Sequence, residues 1–272
     1  MLLLQAMQHL SENGGRMNSR ERRREVLHDL QQNKRVYVTE LAQKFDVTTM
    51  TIRRDLKRLA EANIVTLVHG GATYNEGTAA FPSLAARERI MSSTKDTIGA
   101  YCAAMVQEGN AIFLDTGTSI MRIAGALAGR KNIAVLTNSL AVMNILSANP
   151  AIQLFSMPGK YDVVTKGFFG DLTCRAIRGF RIDMAFMGLS GLSLAGGLMT
   201  TTADDQAIMR TLLETARQKI VVADHSKIGH ESLFKVGDLG DIQKIITDRH
   251  AEKSFVEGAG RKGVEVVQLN TM

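Results

Sequence analysis

Tryptophan is absent from this chain, and its 272 residues include only three prolines and two cysteines. The cysteines, Cys102 and Cys174, form no Cys-x-x-Cys pair and no evenly spaced set. That excludes a disulfide framework, a zinc ribbon and a dithiol redox motif, and leaves two reduced thiols. So few prolines also exclude a proline-rich spacer. No apolar run approaches the ~18 residues that a membrane span needs. Met1-Leu2-Leu3-Leu4 is too short for the apolar region of a signal peptide. A cytoplasmic location without a membrane partner is expected. Residues 1–16 read as an extension, because Met17 offers a second start just ahead of the first well-patterned helix.

What is present fits a chain with a substantial core. Hydrophobic residues make up 45% and charged residues 22%, ordinary values for a globular chain. At ~150 residues per domain the length suggests two domains. Lys and Arg outnumber Asp and Glu by 33 to 27, a formal charge of +6. A basic balance favours polyanionic partners, nucleic acid first. The excess is local: residues 17–72 hold eleven Lys and Arg against seven Asp and Glu.

Residues 17–73 read as three helices followed by short strands. The first helix is expected from about Asn18 to Gln32, with Val26, Leu27 and Leu30 on one face. Val36-Tyr37-Val38 reads as a strand. Thr39 is expected to cap a second helix, Glu40 to Phe45; Asp46-Val47 turns the chain, and Thr48 caps a third helix from Thr49 to about Ala62. Two short helices across a tight turn form a helix-turn-helix pattern. In the third helix Ile52, Leu56 and Leu59 make one apolar stripe. Met50, Arg54 and Lys57 lie opposite it, flanked by Thr51, Arg53 and Arg58. The N-terminal part of such a helix meets base edges in a major groove. Thr49, Met50, Thr51, Arg53 and Arg54 are therefore assigned to bases or groove, and Lys57 and Arg58 to phosphates. Residues 64–68, then His69-Gly70 and Gly71-Ala72-Thr73, read as a strand, a turn and a strand: a wing whose tip, His69 and Gly70, would meet the DNA backbone.

A linker is expected over residues 74–91, polar to Ser83 and helical from about Leu84, with the helical stretch running past Lys95 and Ile98 to Val106. Beyond it short apolar strands alternate with helices, at residues 111–114, 133–136, 152–155, 182–187, 220–223, 245–247 and 264–267, with a Gly- and Lys-containing loop over 158–170. That alternation implies a mainly parallel sheet covered on both faces. Ligands of such sheets bind beyond the strands' carboxyl ends. The segment Asp115-Thr116-Gly117-Thr118-Ser119 follows the first of these strands and opens a helix. Gly117 permits close approach, and Thr116, Thr118 and Ser119 can donate hydrogen bonds, so the loop suits an anion. It is not a Walker loop, since no GKS or GKT follows. Asn138, Ser139 and Lys227 stand at sibling strand ends.

The run VTELAQKFDVTTMTIRRDLKRLAEANIVTLVHGGA is similar to the N-terminal signature of the DeoR family of bacterial sugar-operon regulators. Thr48 stands where the family usually has Ser, and both cap a helix. LDTGTS, LTNSL, PGKY, the run from Asp183 to Gly191, GGLMTT and VVADHSKIG resemble the family's effector domain. The resemblance implies a winged helix-turn-helix over residues 17–73 and, over 92–272, an α/β effector domain like ribose-5-phosphate isomerase and CoA transferases. It further implies that Asp115 to Ser119 hold a sugar phosphate, and that Asp183, Gly188 and Lys227 line the same pocket. Thr137, Asn138, Ser139, Gly159 and Lys160 complete the effector set. Pro158-Gly159 stands where the family often has Gly-Gly, Ser119 where Thr is usual, and Gln206 where Glu is common; the last could change which sugar hydroxyls are recognised.

The expected protein is a regulator, usually a repressor, of a carbohydrate-utilisation operon. Its partners are a double-stranded DNA operator, a phosphorylated sugar and further copies of itself, as a dimer or tetramer. Two alternatives stand beside it. A sugar-phosphate isomerase would need a carboxylate base; Gln206 is neutral, Asp204 and Asp205 adjoin it, and a winged helix has no use in such an enzyme. A DNA-binding protein with an unliganded α/β domain is the other. No catalytic residue, cofactor or metal is expected.

Overall fold

Side chains at residues 52, 56 and 59 share one helix face, and burying that face organises the first part of the chain. A computed structural model describes residues 19–61, 65–74, 84–89 and 91–270. The expected helix start at Asn18, the extension 1–16, Ala62, Ile64 and residues 75–83 of the expected linker lie outside them. The chain separates into two compact units, Met1–Ala80 and Phe81–Met272.

In the first unit α1 (Ser19–Asn33), α2 (Val38–Lys44) and α3 (Thr49–Glu61) pack with a three-stranded antiparallel sheet ordered β1-β3-β2. The strands are β1 (Arg35–Tyr37), β2 (Val65–Val68) and β3 (Gly71–Tyr74). Val26, Leu30, Leu41, Ile52, Leu56, Leu59 and Val65 form its core; the side chain of Leu27 lies outside the described set. Strand β1 hands over directly to α2 at Val38, whose N–H donates to the Gly70 carbonyl at 2.8 Å. Thr39 is therefore not a cap: it lies inside the first turn, exposed, and Tyr37 caps without a side-chain bond. Gly71 admits β1 alongside it, since a Cβ there would lie 2.0 Å from the Val36 carbonyl oxygen.

One acid interrupts the hydrophobic stripe of α3. Asp55 is 3% exposed, and Arg22 Nε of α1 donates to its Oδ2 at 2.6 Å. Arg23 Nη1 reaches Oδ1 at 3.2 Å. The carboxylate thus fixes α3 against α1 in position and in rotation.

The second unit is built on seven parallel strands ordered β15-β14-β12-β9-β4-β5-β6. These are β4 (Ala111–Leu114), β5 (Ile133–Thr137), β6 (Ile152–Ser156), β9 (Ile182–Gly188), β12 (Ala216–Val222), β14 (Lys244–Asp248) and β15 (Glu265–Leu269). Strand side chains alternate between two cores, as period two requires. Ile112, Leu114, Met184, Phe186, Ile220 and Val222 meet α5 (Ser92–Met105), α6 (Thr118–Leu127) and α7 (Leu140–Leu146). Phe113, Ala185, Met187, Val221 and Ile245 meet α8 (Asp171–Arg178), α9 (Ala203–Thr215) and α10 (Lys253–Arg261) on the other face. The expected α/β architecture is present.

The differences are local. Strand β12 starts at Ala216, ahead of the expected Ile220, because its polar first half pairs with β9 in register Ala216↔Ile182. The expected loop 158–170 contains a hairpin, β7 (Lys160–Asp162) with β8 (Gly167–Phe169). A small antiparallel sheet of β10 (Gly191–Ser193), β11 (Gly197–Thr200) and β13 (Phe234–Gly237) was not anticipated. Within the span read as linker, α4 (Leu84–Arg89) belongs to the second unit, and Met91, at φ 53°, separates it from α5.

Replacing Asp55 by Ala removes the carboxylate that two guanidinium groups meet. We expect a loss of about 3 kcal/mol in stability, typical for breaking a buried pair from one side. Urea unfolding should show it as a lower midpoint, with hydrogen exchange of the α3 amides accelerating first. A wild-type midpoint would mean the pair does not hold α3.

Candidate nucleic-acid interface and anion site

Helix α3 is anchored at its start by Thr48, whose Oγ1 accepts the Thr51 N–H at 3.3 Å. Its buried residues are 52, 55, 56 and 59, so the opposite face carries Thr49, Met50, Arg53, Arg54, Lys57 and Arg58, all exposed, with Thr51 half-buried. None of the four cations has an ion-pair or hydrogen-bond partner among the described residues. Met50 is 55% exposed beside them. An apolar side chain amid unpartnered cations at the N-terminal end of a helix suits groove contact: phosphates for the charges, base edges for the rest. The two-residue turn His69-Gly70 joins β2 to β3 and is exposed.

In the second unit the strand order reverses between β4 and β9. The chain leaves β4 for β5 and β6 on one side, then returns to β9 and proceeds to β12 on the other. A reversal of that kind opens a crevice at the carboxyl ends, where ligands of open α/β sheets bind. Asp115 stands at the mouth of the crevice. Its N–H donates to the Phe186 carbonyl at 3.2 Å. Its carboxylate accepts from the backbone of Thr116 and Gly188, yet Oδ2 is buried without a partner among the described residues. Gly117, at φ 121°, begins α6 with no side-chain cap. Backbone in that region favours glycine, and the uncapped N–H groups face outward from a positive helix end. Thr118 is buried there, with Thr116 and Ser119 half-buried.

The neighbouring loop is mostly committed to the scaffold. Thr137 Oγ1 donates to the Leu114 carbonyl at 2.7 Å and accepts the Ser139 N–H at 3.0 Å. Ser139 Oγ caps α7 by accepting from Val142 at 3.3 Å. These two expected effector contacts are thus strut and cap, and both are buried. Asn138 donates through Nδ2 to the Phe168 carbonyl at 3.3 Å, while its buried Oδ1 has no partner. Gly159 is packed against Thr173 and Phe169, and Lys160 is exposed on β7.

Asp183 does not join the rim. It lies at the start of β9, where Oδ2 accepts the Ala111 N–H at 2.9 Å. That is the amino end of the sheet, roughly 16 Å along the strand from Gly188 at ~3.3 Å per residue. Gln206 is likewise turned to structure, donating to the Lys235 carbonyl at 2.6 Å.

Lys227, expected from the sequence, is joined at the rim by charged groups that the sequence did not assign to a ligand. Asp205, at the start of α9, accepts from Thr202 Oγ1 at 2.8 Å and lies within electrostatic reach of Asp115 and Arg87. Lys227 sits beside Asp224 and Arg87, and Lys95 beside Asp224, Lys227 and Arg87. Burial pushes the Asp115 carboxyl up to about 8, with the Asp205 charge adding to it. Burial also raises Asp205 and lowers Lys227, and it lowers Lys95 to about 8. One signal for Lys95 was available. It shares a stripe with Ile98 and Cys102 on the buried face of α5, where a charge is out of place unless something meets it.

A profile of the DeoR C terminal sensor domain matches residues 90–249, and one of the DeoR-like helix-turn-helix domain matches residues 22–78. The chain belongs to the DeoR family. This DeoR-family protein is a DNA-binding transcriptional regulator, similar along most of its length to curated repressors. It is 28% identical to the HTH-type transcriptional repressor GlcR of Bacillus subtilis, over 92% of this chain and 96% of that one. It is 29% identical to the glycerol-3-phosphate regulon repressor of Escherichia coli K12, over 85% and 92%. With ribose 5-phosphate isomerase A of Neisseria gonorrhoeae it shares 15% identity and a TM-score of 0.36, over 49% of this chain and 52% of that one. Likeness of that order implies nothing about ligand or activity. Among the described residues no helix is long and apolar enough to cross a membrane.

The Asp115 carboxyl gives a pH test. Its value rises from 3.8 to about 8 on folding. The stability it contributes is therefore fully present below about pH 4 and is lost as pH rises through about 8. Asp115→Asn removes that dependence. The melting temperature of Asp115→Asn relative to wild type should climb between pH 5 and pH 8.5 and level off above. A difference independent of pH would show that this carboxyl is not held protonated.

Proposed function

We propose that this protein represses a carbohydrate-utilisation operon, and that a phosphorylated sugar at the β4–β9 rim sets its affinity for DNA. The observation that carries the ligand is the unpartnered, buried Oδ2 of Asp115 beside the uncapped start of α6. A carboxyl held protonated can donate to or accept from a sugar hydroxyl, while the helix N-terminus and Lys227 take the phosphate. Thr116, Thr118, Ser119, Gly188 and Asn138 line the same crevice. A relative named for a glycerol-3-phosphate regulon supports a phosphorylated effector.

On DNA, Thr49, Met50, Thr51, Arg53 and Arg54 contact bases or groove, Lys57 and Arg58 contact phosphates, and His69 and Gly70 touch the backbone. Two such units about one DNA turn apart make a dimeric reader, and tetramers join two of them. The effector shifts the population of DNA-competent protein through its differential affinity for the two states.

Paired variants separate the two roles. Arg53→Ala with Arg54→Ala should abolish specific binding in fluorescence anisotropy while sugar phosphates still raise the melting temperature. Lys227→Ala should keep operator affinity and lose the thermal response. Lys57→Ala and Arg58→Ala should each flatten the dependence of log K on log salt by about one unit. Loss of both activities in every variant would contradict the division of labour.

A further inference from the structure

We propose that the effector site of the preceding reading extends onto the two helices that open the second unit, with Arg87 of α4 and Lys95 of α5 joining Lys227 around the phosphate. Lys95 is 5% exposed, and its Nζ donates to the Arg87 carbonyl at 2.6 Å. That bond couples α5 to α4 at the point where α4 presents its buried guanidinium to Asp205. Arg122 of α6 ties the same two helices down from the other side, meeting Glu88 at 3.7 Å, Asp96 at 3.2 Å and Ser92 Oγ at 3.2 Å. Helices α4 and α5 are thereby fastened to α6, whose first turn is the anion cradle.

Three cations from separate segments converge here: Lys95, which is buried, and Arg87 and Lys227, which are half-buried. Asp205 and Asp224 face them, and Asp115 is largely protonated at neutral pH. Three cations and two ionised carboxylates are thus drawn together in a place where burying charge is costly. Burial holds the ammonium groups of Lys95 and Lys227 below their ordinary range, and repulsion from Arg87 adds to it. A phosphate dianion offsets both effects. The unpartnered oxygens of Asp115 and Asn138 provide, independently, the polar contacts for the remainder of a hydroxylated ligand. Since α4 follows residues 75–83, which lead from the DNA-binding unit, the phosphate acts on the first helix that unit is joined to. An anion that draws Arg87 away from Asp205 binds the two placements of α4 unequally, as a switch requires.

The test uses the full-length protein, with inorganic phosphate and a panel of pentose 5-phosphates and hexose 6-phosphates as probes. In wild type, hydrogen exchange should slow in residues 84–105 as well as 115–121 when a probe binds. Lys95→Gln and Arg87→Gln should each weaken the probe's Kd at least tenfold. Protection confined to 115–121 and 224–228, or variants that melt like wild type and bind within threefold of it, would overturn the extension while leaving the effector reading intact. If no probe raises the melting temperature of wild type, the effector reading fails and the extension falls with it.

Discussion

The reversal of strand order between β4 and β9 is the constraint on which the sensor half depends. Parallel strands progressing in one direction would leave Asp115 beneath a covering connection. Because the chain departs from β4 one way and resumes at β9 on its other flank, no crossover covers the gap at their carboxyl ends. The Asp115 N–H donates to the Phe186 carbonyl, and the Gly188 N–H donates to the Asp115 carboxylate; together they fix Asp115 at the edge of that gap. Helix α6 begins two residues later, at Gly117, whose backbone a side chain would strain. A buried carboxyl and a positive helix end are thus adjacent because of topology, and the local sequence DTGTS can use that adjacency only in this position.

Keeping polar groups at this rim opposes stability. A carboxyl whose pKa rises to about 8, a lysine lowered to about 8 and two unpartnered buried oxygens each disfavour the folded state. The titration windows do not overlap: Asp115 weakens the fold as pH rises towards 8, whereas Lys95 relieves its own penalty only above that value. Strain of this kind persists where the surroundings over-determine it. Here two dense cores on either side of the sheet do so, and an anion bound there as proposed would return part of the lost free energy as affinity.

Legibility in the sequence followed physical periodicity. Ile52, Leu56 and Leu59 repeat at helical spacing and are buried; the alternation of apolar strands with helices was enough to recognise a parallel sheet. Three-residue strands such as β7, β8 and β10 contain no full period, so nothing in their residues separated them from loop. Asp55 passed unnoticed because an acid between Arg54 and Leu56 looks like solvated surface until Arg22, distant in sequence, arrives to meet it. Thr39 was misread for a related reason: the cap position shifted when Val38 found its partner in Gly70. Asp183 shows the limit of motif resemblance. A motif locates a residue in the chain, but which end of the strand it occupies is decided by register, and Asp183 sits at the wrong one. Arg87 and Lys95 escape any reading centred on strand-end loops, because they come from helices that precede the first strand.

The two halves solve opposite electrostatic problems. Arg53, Arg54, Lys57 and Arg58 remain exposed and unpartnered among the described residues, which keeps their cost low and would make their proposed attraction to duplex DNA long-ranged and sensitive to salt. Arg87, Lys95 and Lys227 are partly or wholly withdrawn from water, so counter-ions screen them less, and an anion bound there as proposed would be recognised by position as much as by charge. On the proposed reading, a change in ionic strength therefore alters operator affinity more than effector affinity. Exchanging the two strategies would give a sensor confused by any polyanion and a DNA reader unable to search.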